Sequence, residues 1–153
     1  MREKLERETA EKLHALERLR QSEERLEQVE EMARVGSFEW RLDSDEVSIS
    51  AETARILGMS ASTKRVGLGE VLAAVIEEDR PIIAEAYAAM LRDGRSFNVE
   101  CRVRRKSADV LARVISRARI VVGDDASALS AVGTMQDVTD LRKAEEANAR
   151  LAA

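Results

Sequence analysis

Polar and apolar residues change rhythm twice along the chain, and the two changes divide it into three zones. In residues 1–34 the apolar positions Leu5, Leu13, Leu16, Leu19, Leu26, Val29 and Ala33 recur at steps near three and four, the period of a helix. This zone has no Gly or Pro and is rich in Glu, Arg, Leu and Ala, all good helix formers. Glu3 with Arg7, Glu8 with Lys12, and Glu30 with Arg34 stand at the i,i+4 spacing that supports an exposed helix. The apolar stripe is narrow, and Thr9 and Glu23 interrupt it. A helix with so little to bury gains most from a second copy of itself, so the expectation is a parallel coiled coil meeting through Leu16, Leu19, Leu26 and Val29. The alternative is a single solvated helix.

At Val35 the rhythm becomes period two, and Gly36 is expected to break the helix. Phe38, Trp40 and Leu42 alternate with Glu39, Arg41 and Asp43, the mark of a half-buried strand. After a turn at 43–45, Val47 and Ile49 alternate with Ser48 and Ser50, completing a hairpin. Ser50 is placed to cap a short helix over 51–57 that Gly58 closes. Residues 63–69 carry no clear pattern and read as a loop. Val71, Leu72, Val75 and Ile76 give a short helical face. Asp79 is the expected N-cap of the next helix, with Pro81 in its first turn, where a missing N–H costs nothing. Ile82, Ile83, Ala86, Tyr87, Met90 and Leu91 form that helix's buried stripe, and Gly94 ends it. Beyond it Phe97, Val99, Cys101 and Val103 alternate with polar residues. Residues 110–122 make a long β-branched strand that ends at Gly123-Asp124-Asp125, and a last strand covers 128–136.

Two strands, several short helices and three strands joined by tight turns predict an α+β domain: a five-stranded antiparallel sheet with short helices on one face. From Asp137 the composition is helical again, with Leu141, Ala144, Ala147 and Leu151 as the apolar marks. The expected organisation is a coiled-coil helix over 1–34, the domain over 35–139 and the start of a C-terminal linker helix over 140–153.

Composition narrows the possibilities. A chain of 153 residues buries one core with attachments. Charged residues make up 35%, which places charge outside the core in quantity, yet the net charge of -4 gives no electrostatic reason to expect nucleic acid as a partner. One cysteine excludes an internal disulfide and suits a reducing compartment. No apolar run approaches the roughly 20 residues of a bilayer span, and the charged residues 1–7 are no signal peptide, so a soluble, cytoplasmic piece is expected.

Catalytic chemistry finds little to work with. His14, the only histidine, lies in the charged leading helix, and one His with one Cys does not supply the three or four converging ligands of a metal site. There is no Gly-rich phosphate loop, and no Ser or Cys nucleophile has a histidine in the folded zone. Asp124 and Asp125 are turn formers. The expectation is a non-catalytic domain with no metal.

Five local strings stand in order along the chain: Val35-Gly36-Ser37-Phe38-Glu39-Trp40, the stretch from Ser50 to Met59, Glu78-Asp79-Arg80-Pro81, Phe97-Asn98-Val99-Glu100-Cys101-Arg102-Val103, and Gly133-Thr134-Met135-Gln136-Asp137-Val138-Thr139. Together with the order of elements they resemble the PAS superfamily, in the subgroup common beside bacterial sensor histidine kinases. Two departures stand out. Ser107-Ala108-Asp109 replaces the family's Asp-Gly turn, and Leu111-Ala112-Arg113 stands where a Trp is usual, which either enlarges an internal space or loosens the core.

The resemblance implies a cupped sheet with a small-molecule pocket lined by Trp40, Ile56, Tyr87, Cys101, Val114 and Met135; the alternative is that these side chains simply pack together. It leaves the cofactor unknown but disfavours two. Flavin sensors carry Asn-Cys-Arg-Phe-Leu-Gln, which is absent, and haem relatives need a histidine in the helical half. Met59 and Met90, at helical spacing, read as core. The resemblance also implies that Gly133, Asp137 and Thr139 form the joint from which a helix leads to an effector domain, a histidine kinase or a cyclic-dinucleotide enzyme. Asp137 and Thr139 would accept backbone N–H groups at the start of that helix. The implied function is a sensory or relay domain that couples a ligand or partner to dimeric helices. The alternatives are a structural spacer without a ligand and a cofactor-bound light or gas sensor.

Overall fold

Burial follows the two periods that the sequence sets out. The computed structural model describes residues 1–105, 111–122 and 129–152. Helix α1 (Arg2–Ala33) runs about 48 Å at the usual rise per residue and leads straight into β1 (Val35–Arg41). Then follow β2 (Glu46–Ile49), α2 (Ala51–Ile56), β3 (Arg65–Gly67), α3 (Leu68–Ala74), a short 3-10 turn (Glu77–Asp79) and α4 (Arg80–Asp93). The chain closes with β4 (Phe97–Arg104), β5 (Leu111–Val122), β6 (Leu129–Asp137) and α5 (Thr139–Ala152).

The sheet is antiparallel in the order β3-β2-β1-β6-β5-β4, so the first and last long strands are its central pair. Val47, Ile49, Trp40, Ala131, Met135, Val114, Ala118, Phe97, Val99, Cys101 and Val103 turn inward beneath α2, α3 and α4 and build the core. The outer face carries the alternate residues, among them Glu39, Arg117, Arg119, Asn98 and Glu100. Gly36 and Gly133 are required on the inner side. A Cβ on Gly36 would stand 2.1 Å from the Thr53 hydroxyl of α2, and one on Gly133 would stand 2.0 Å from the Arg117 carbonyl and 2.8 Å from the Phe38 ring.

Several expectations are corrected. The sheet has six strands among the described residues, not five: Val66 pairs with Val47 inside the segment read as a loop, and three residues are too few to display a period. Helix α1 is ended by Arg34, which adopts a left-handed conformation (φ 56°), and not by Gly36. Asp79 stands at the N-cap position of α4 but caps nothing there; its carboxylate accepts the Arg102 backbone N–H at 2.7 Å and pairs with the Arg102 guanidinium at 2.8 Å. That contact pins the helical layer to the edge strand β4. Ile82 and Leu91, placed in the buried stripe of α4, are about half exposed, because Ile83 and Met90 define the face turned to the sheet. The expected Glu30–Arg34 pair is replaced, each finding a partner further along the chain. Ser50 caps α2 as expected, accepting the Thr53 N–H. The turn motifs 107–109 and 123–125, with Val110 and Ala128, lie outside the described residues.

Candidate functional site

Because Val35 pairs with Gln136, α1 enters and α5 leaves the sheet side by side. The backbone carbonyl of Arg34 accepts the Asp137 N–H at 2.9 Å, and the Arg34 guanidinium pairs with Asp140 at 2.6 Å. Asp137 is the hub of this junction, with a side chain only 4% exposed. One carboxylate oxygen accepts both the N–H (2.9 Å) and the hydroxyl (2.5 Å) of Thr139, and the other pairs with Arg105, the residue that follows β4. The Thr139 hydroxyl oxygen accepts the Arg113 N–H at 2.9 Å, while Val138 donates to the Arg113 carbonyl at 2.8 Å. Two ion pairs steady the next turns of α5: Arg142 with Glu100 and Glu146 with Arg113, both at 2.6 Å. Helix α5 buries no described residue, and Leu141 and Leu151 face solvent. Its root is held by these polar contacts and by Val138, which is buried just before the helix begins, while the helix itself lies on the surface.

The incoming side is anchored in the same manner. Glu30 is the buried residue of α1, and it accepts the Ser37 hydroxyl proton at 3.0 Å. Ser37 in turn donates its N–H to the Ser50 hydroxyl, and its carbonyl accepts the Thr53 hydroxyl at 2.8 Å. An open cleft of about 520 Å³ lies between the two helix roots, floored by Ile56, Leu111 and Ala112 and walled by charges of both signs. The buried Nε of Arg105 has no acceptor among the described residues.

The interior of the cup is nearly full. A cavity of about 20 Å³ remains among Trp40, Thr53, Leu57, Tyr87, Ser116 and Met135, room for about one water. The Tyr87 ring lies 5.6 Å from Trp40, tilted, and 4.6 Å from Phe97, stacked, so aromatic rings span the cup. Burial pushes the Tyr87 hydroxyl up to about 12 and the Cys101 thiol up to about 11, the latter helped by the nearby Asp79 and Glu100 carboxylates. Cys101 is thus a protonated core thiol at neutral pH, not a reactive thiolate.

Residues 46–135 match the family defined by the PAS fold. The chain belongs to the PAS family. Over 124 residues it is 31% identical to a blue-light-activated histidine kinase of Brucella anthropi, a stretch that covers 81% of this chain and 24% of that kinase. The chain thus spans about a quarter of the length of the curated relative it matches. Among solved structures it is similar to a sensory box histidine kinase/response regulator from Burkholderia thailandensis (TM-score 0.65, 23% identity, covering 84% of this chain and 94% of that one). It is also similar to the N-terminal domain of a diguanylate cyclase with PAS/PAC sensor from Marinobacter aquaeolei (TM-score 0.61, 11% identity, 71% and 98% covered). At these identities the structural likenesses speak for the PAS fold alone.

Against this PAS frame the expected site residues divide. Trp40, Tyr87 and Met135 border the small cavity, whereas Ile56, Cys101 and Val114 are core residues away from it. Leu111 and Ala112, standing where the family's aromatic is usual, border the cleft between the helix roots and not the cup cavity. Asp137 and Thr139 come together as expected, with one difference: Thr139 accepts from β5 and not from the start of α5. Gly133 lies beneath the Phe38 ring. Leu16, Leu19, Leu26 and Val29 are 55–62% exposed. His14 is exposed on α1, and no helix among the described residues is long and apolar enough to cross a membrane. Arg34, Arg105, Glu30 and Ser37 also belong to the junction, a role that the sequence does not assign them. Of these, Glu30 alone left a signal, a carboxylate close to the apolar stripe of α1.

Proposed function

We propose that this PAS domain is a relay, carrying a change in the incoming helix α1 to the outgoing helix α5 and from there to an effector of the histidine-kinase or cyclic-dinucleotide type. The observation that carries this reading is the direct bond between the residue that ends one helix and the residue that caps the other, Arg34 carbonyl to Asp137 N–H, reinforced by Arg34–Asp140. The exposed leucines of α1 are the surface through which two copies pair in parallel, giving the relay a dimeric input. The filled cup favours an input that arrives through α1 over a ligand held inside the sheet. Such relays act by biasing a two-state element, here the angle at which α5 leaves Asp137.

The test is amide hydrogen exchange on the intact chain with Glu30→Ala, which releases the anchor of α1 without touching α5. Exchange in Thr139–Ala152 is expected to rise along with that in the last turns of α1. Unchanged protection of α5 beside a loosened α1 would overturn the relay and leave a structural spacer.

A further inference from the structure

The outer face of the sheet holds a groove that neither the fold nor the helix junction uses. It is an open depression of about 340 Å³ bordered by Ser96, Asn98, Arg117, Arg119, Val132 and Thr134, with no carboxylate in its lining. The register makes it an ordered array. Thr134, Arg117 and Asn98 form one cross-strand row, and Arg119 stands two residues along β5, opposite Val132. Side chains two apart on a strand share a face and lie about 7 Å from each other at the base, close enough for two guanidiniums to converge on one group.

Neither Arg117 nor Arg119 has an ion pair among the described residues. The neighbouring acids do not supply one. Glu100, in the adjacent row, is engaged by Arg142, and Glu39 stands on β1, one strand beyond Val132. Two adjacent unpaired guanidiniums repel each other and, in a chain of net charge -4, run against the overall balance.

We infer that this groove binds an organic phosphate monoester. A carboxylate is saturated by a single guanidinium fork, whereas a phosphoryl group has three terminal oxygens to accept from two arginines and a hydroxyl. Arg117 and Arg119 grip the phosphoryl oxygens, Thr134 and Asn98 donate from either side of Arg117, and the apolar Val132 lies under the organic part. The volume exceeds the needs of a bare ion and falls within the range of small-molecule sites. Nothing in this assignment depends on the relay.

The experiment follows the Arg side-chain Nε–H resonances of the whole chain during titration with phosphoserine, inorganic phosphate, acetate and chloride at constant ionic strength. Phosphoserine is expected to move Arg117 and Arg119 saturably, inorganic phosphate to do so more weakly, and the other two not at all. Arg117→Gln and Arg119→Gln each weaken phosphoserine binding by about tenfold, and Thr134→Val by less. Both arginines are exposed, so circular dichroism should report an unchanged fold. Equal shifts with chloride or acetate would reduce the site to charge screening and overturn the proposal, as would full binding by the Arg117→Gln/Arg119→Gln double variant. Inorganic phosphate binding as tightly as phosphoserine would overturn the ester assignment. Binding of an oligonucleotide of about ten nucleotides with no response to phosphoserine would overturn it as well, in favour of a nucleic-acid backbone.

Discussion

Replacing Asp137 by Ala removes three interactions at one point, and their sum is predictable. The Thr139 N–H loses its acceptor, a loss of the N-cap kind that costs about 1 kcal/mol. The Thr139 hydroxyl loses its acceptor as well, worth about 1 kcal/mol net. Arg105 loses its carboxylate, but its side chain is 34% exposed and partly hydrated, so this adds about 0.5–1 kcal/mol and not the full penalty of a buried charge. The total is about 2–3 kcal/mol of folding stability, read as a lower urea midpoint at unchanged slope. Asp137→Asn keeps an acceptor for Thr139 and loses only the ionic share, so about 1 kcal/mol is expected. A double-mutant cycle with Thr139→Val isolates the Asp137–Thr139 coupling at about 1 kcal/mol. Helicity of α5 should fall in the Ala variant only. A loss below about 0.5 kcal/mol, or equal losses for Ala and Asn, would refute the assignment of Asp137 as the cap of the outgoing helix.

Three further outcomes follow from the same contacts. Gly36→Ala forces a Cβ to within 2.1 Å of the Thr53 hydroxyl and 2.4 Å of its backbone nitrogen, so a destabilisation of about 3 kcal/mol or more is expected in chemical denaturation. Hydrogen bonding to Arg102 holds the Asp79 carboxyl below its ordinary range, so it contributes stability that is present above the unfolded-state value and lost as pH falls through the folded-state one. Asp79→Asn should flatten the acid limb of a stability–pH profile below about pH 5, and an unaltered limb would show the pair to be inert. Polar replacement of Leu16, Leu19 and Leu26 together should convert a dimer to a monomer in sedimentation while the sheet stays folded; an unchanged sedimentation coefficient would place the dimer elsewhere or deny it.

Strand alternation made most of the sheet legible, since every inward position of β4 from Phe97 to Val103 is buried as the period demands. What escaped was either too short or too distant. Three-residue β3 has no room for a period, and the end of α1 rests on a left-handed Arg34, a conformation that side chains seldom adopt and that no local signal announces. Asp79 carried the right residue type for a cap, yet a stronger partner 23 residues away claimed it. Asp137 and Thr139 were legible through family resemblance, but Arg105 and Arg34 were not. The Arg34–Asp140 contact joins residues 106 apart, and only the antiparallel placement of β1 beside β6 brings them together. The cup lining was half legible: periodicity finds inward residues but cannot tell which of them border the remaining space.

That placement also constrains how the proposed relay can move. Helix α1 is continuous with β1 and helix α5 with β6, and the two strands are paired from Val35–Gln136 to Arg41–Ser130. Stretching either strand or sliding one along the other would break many ladder bonds, so the cheap displacement is a change of twist between them. Two close approaches couple that displacement to the rest of the domain. Thr53 of α2 lies against Gly36 of β1, and the Phe38 ring of β1 lies against Gly133 of β6. A pull on Ser37 through Glu30 therefore reaches β6 and the helical layer together, and α5, which buries no described residue, is tied to that motion through the polar contacts and the buried Val138 at its root. Both roots are thus tied to the same sheet, α1 through Glu30 and Ser37 and α5 through Thr139, Arg142 and Glu146, so under the proposed relay a change of twist at β1 and β6 would alter the exit of both helices together.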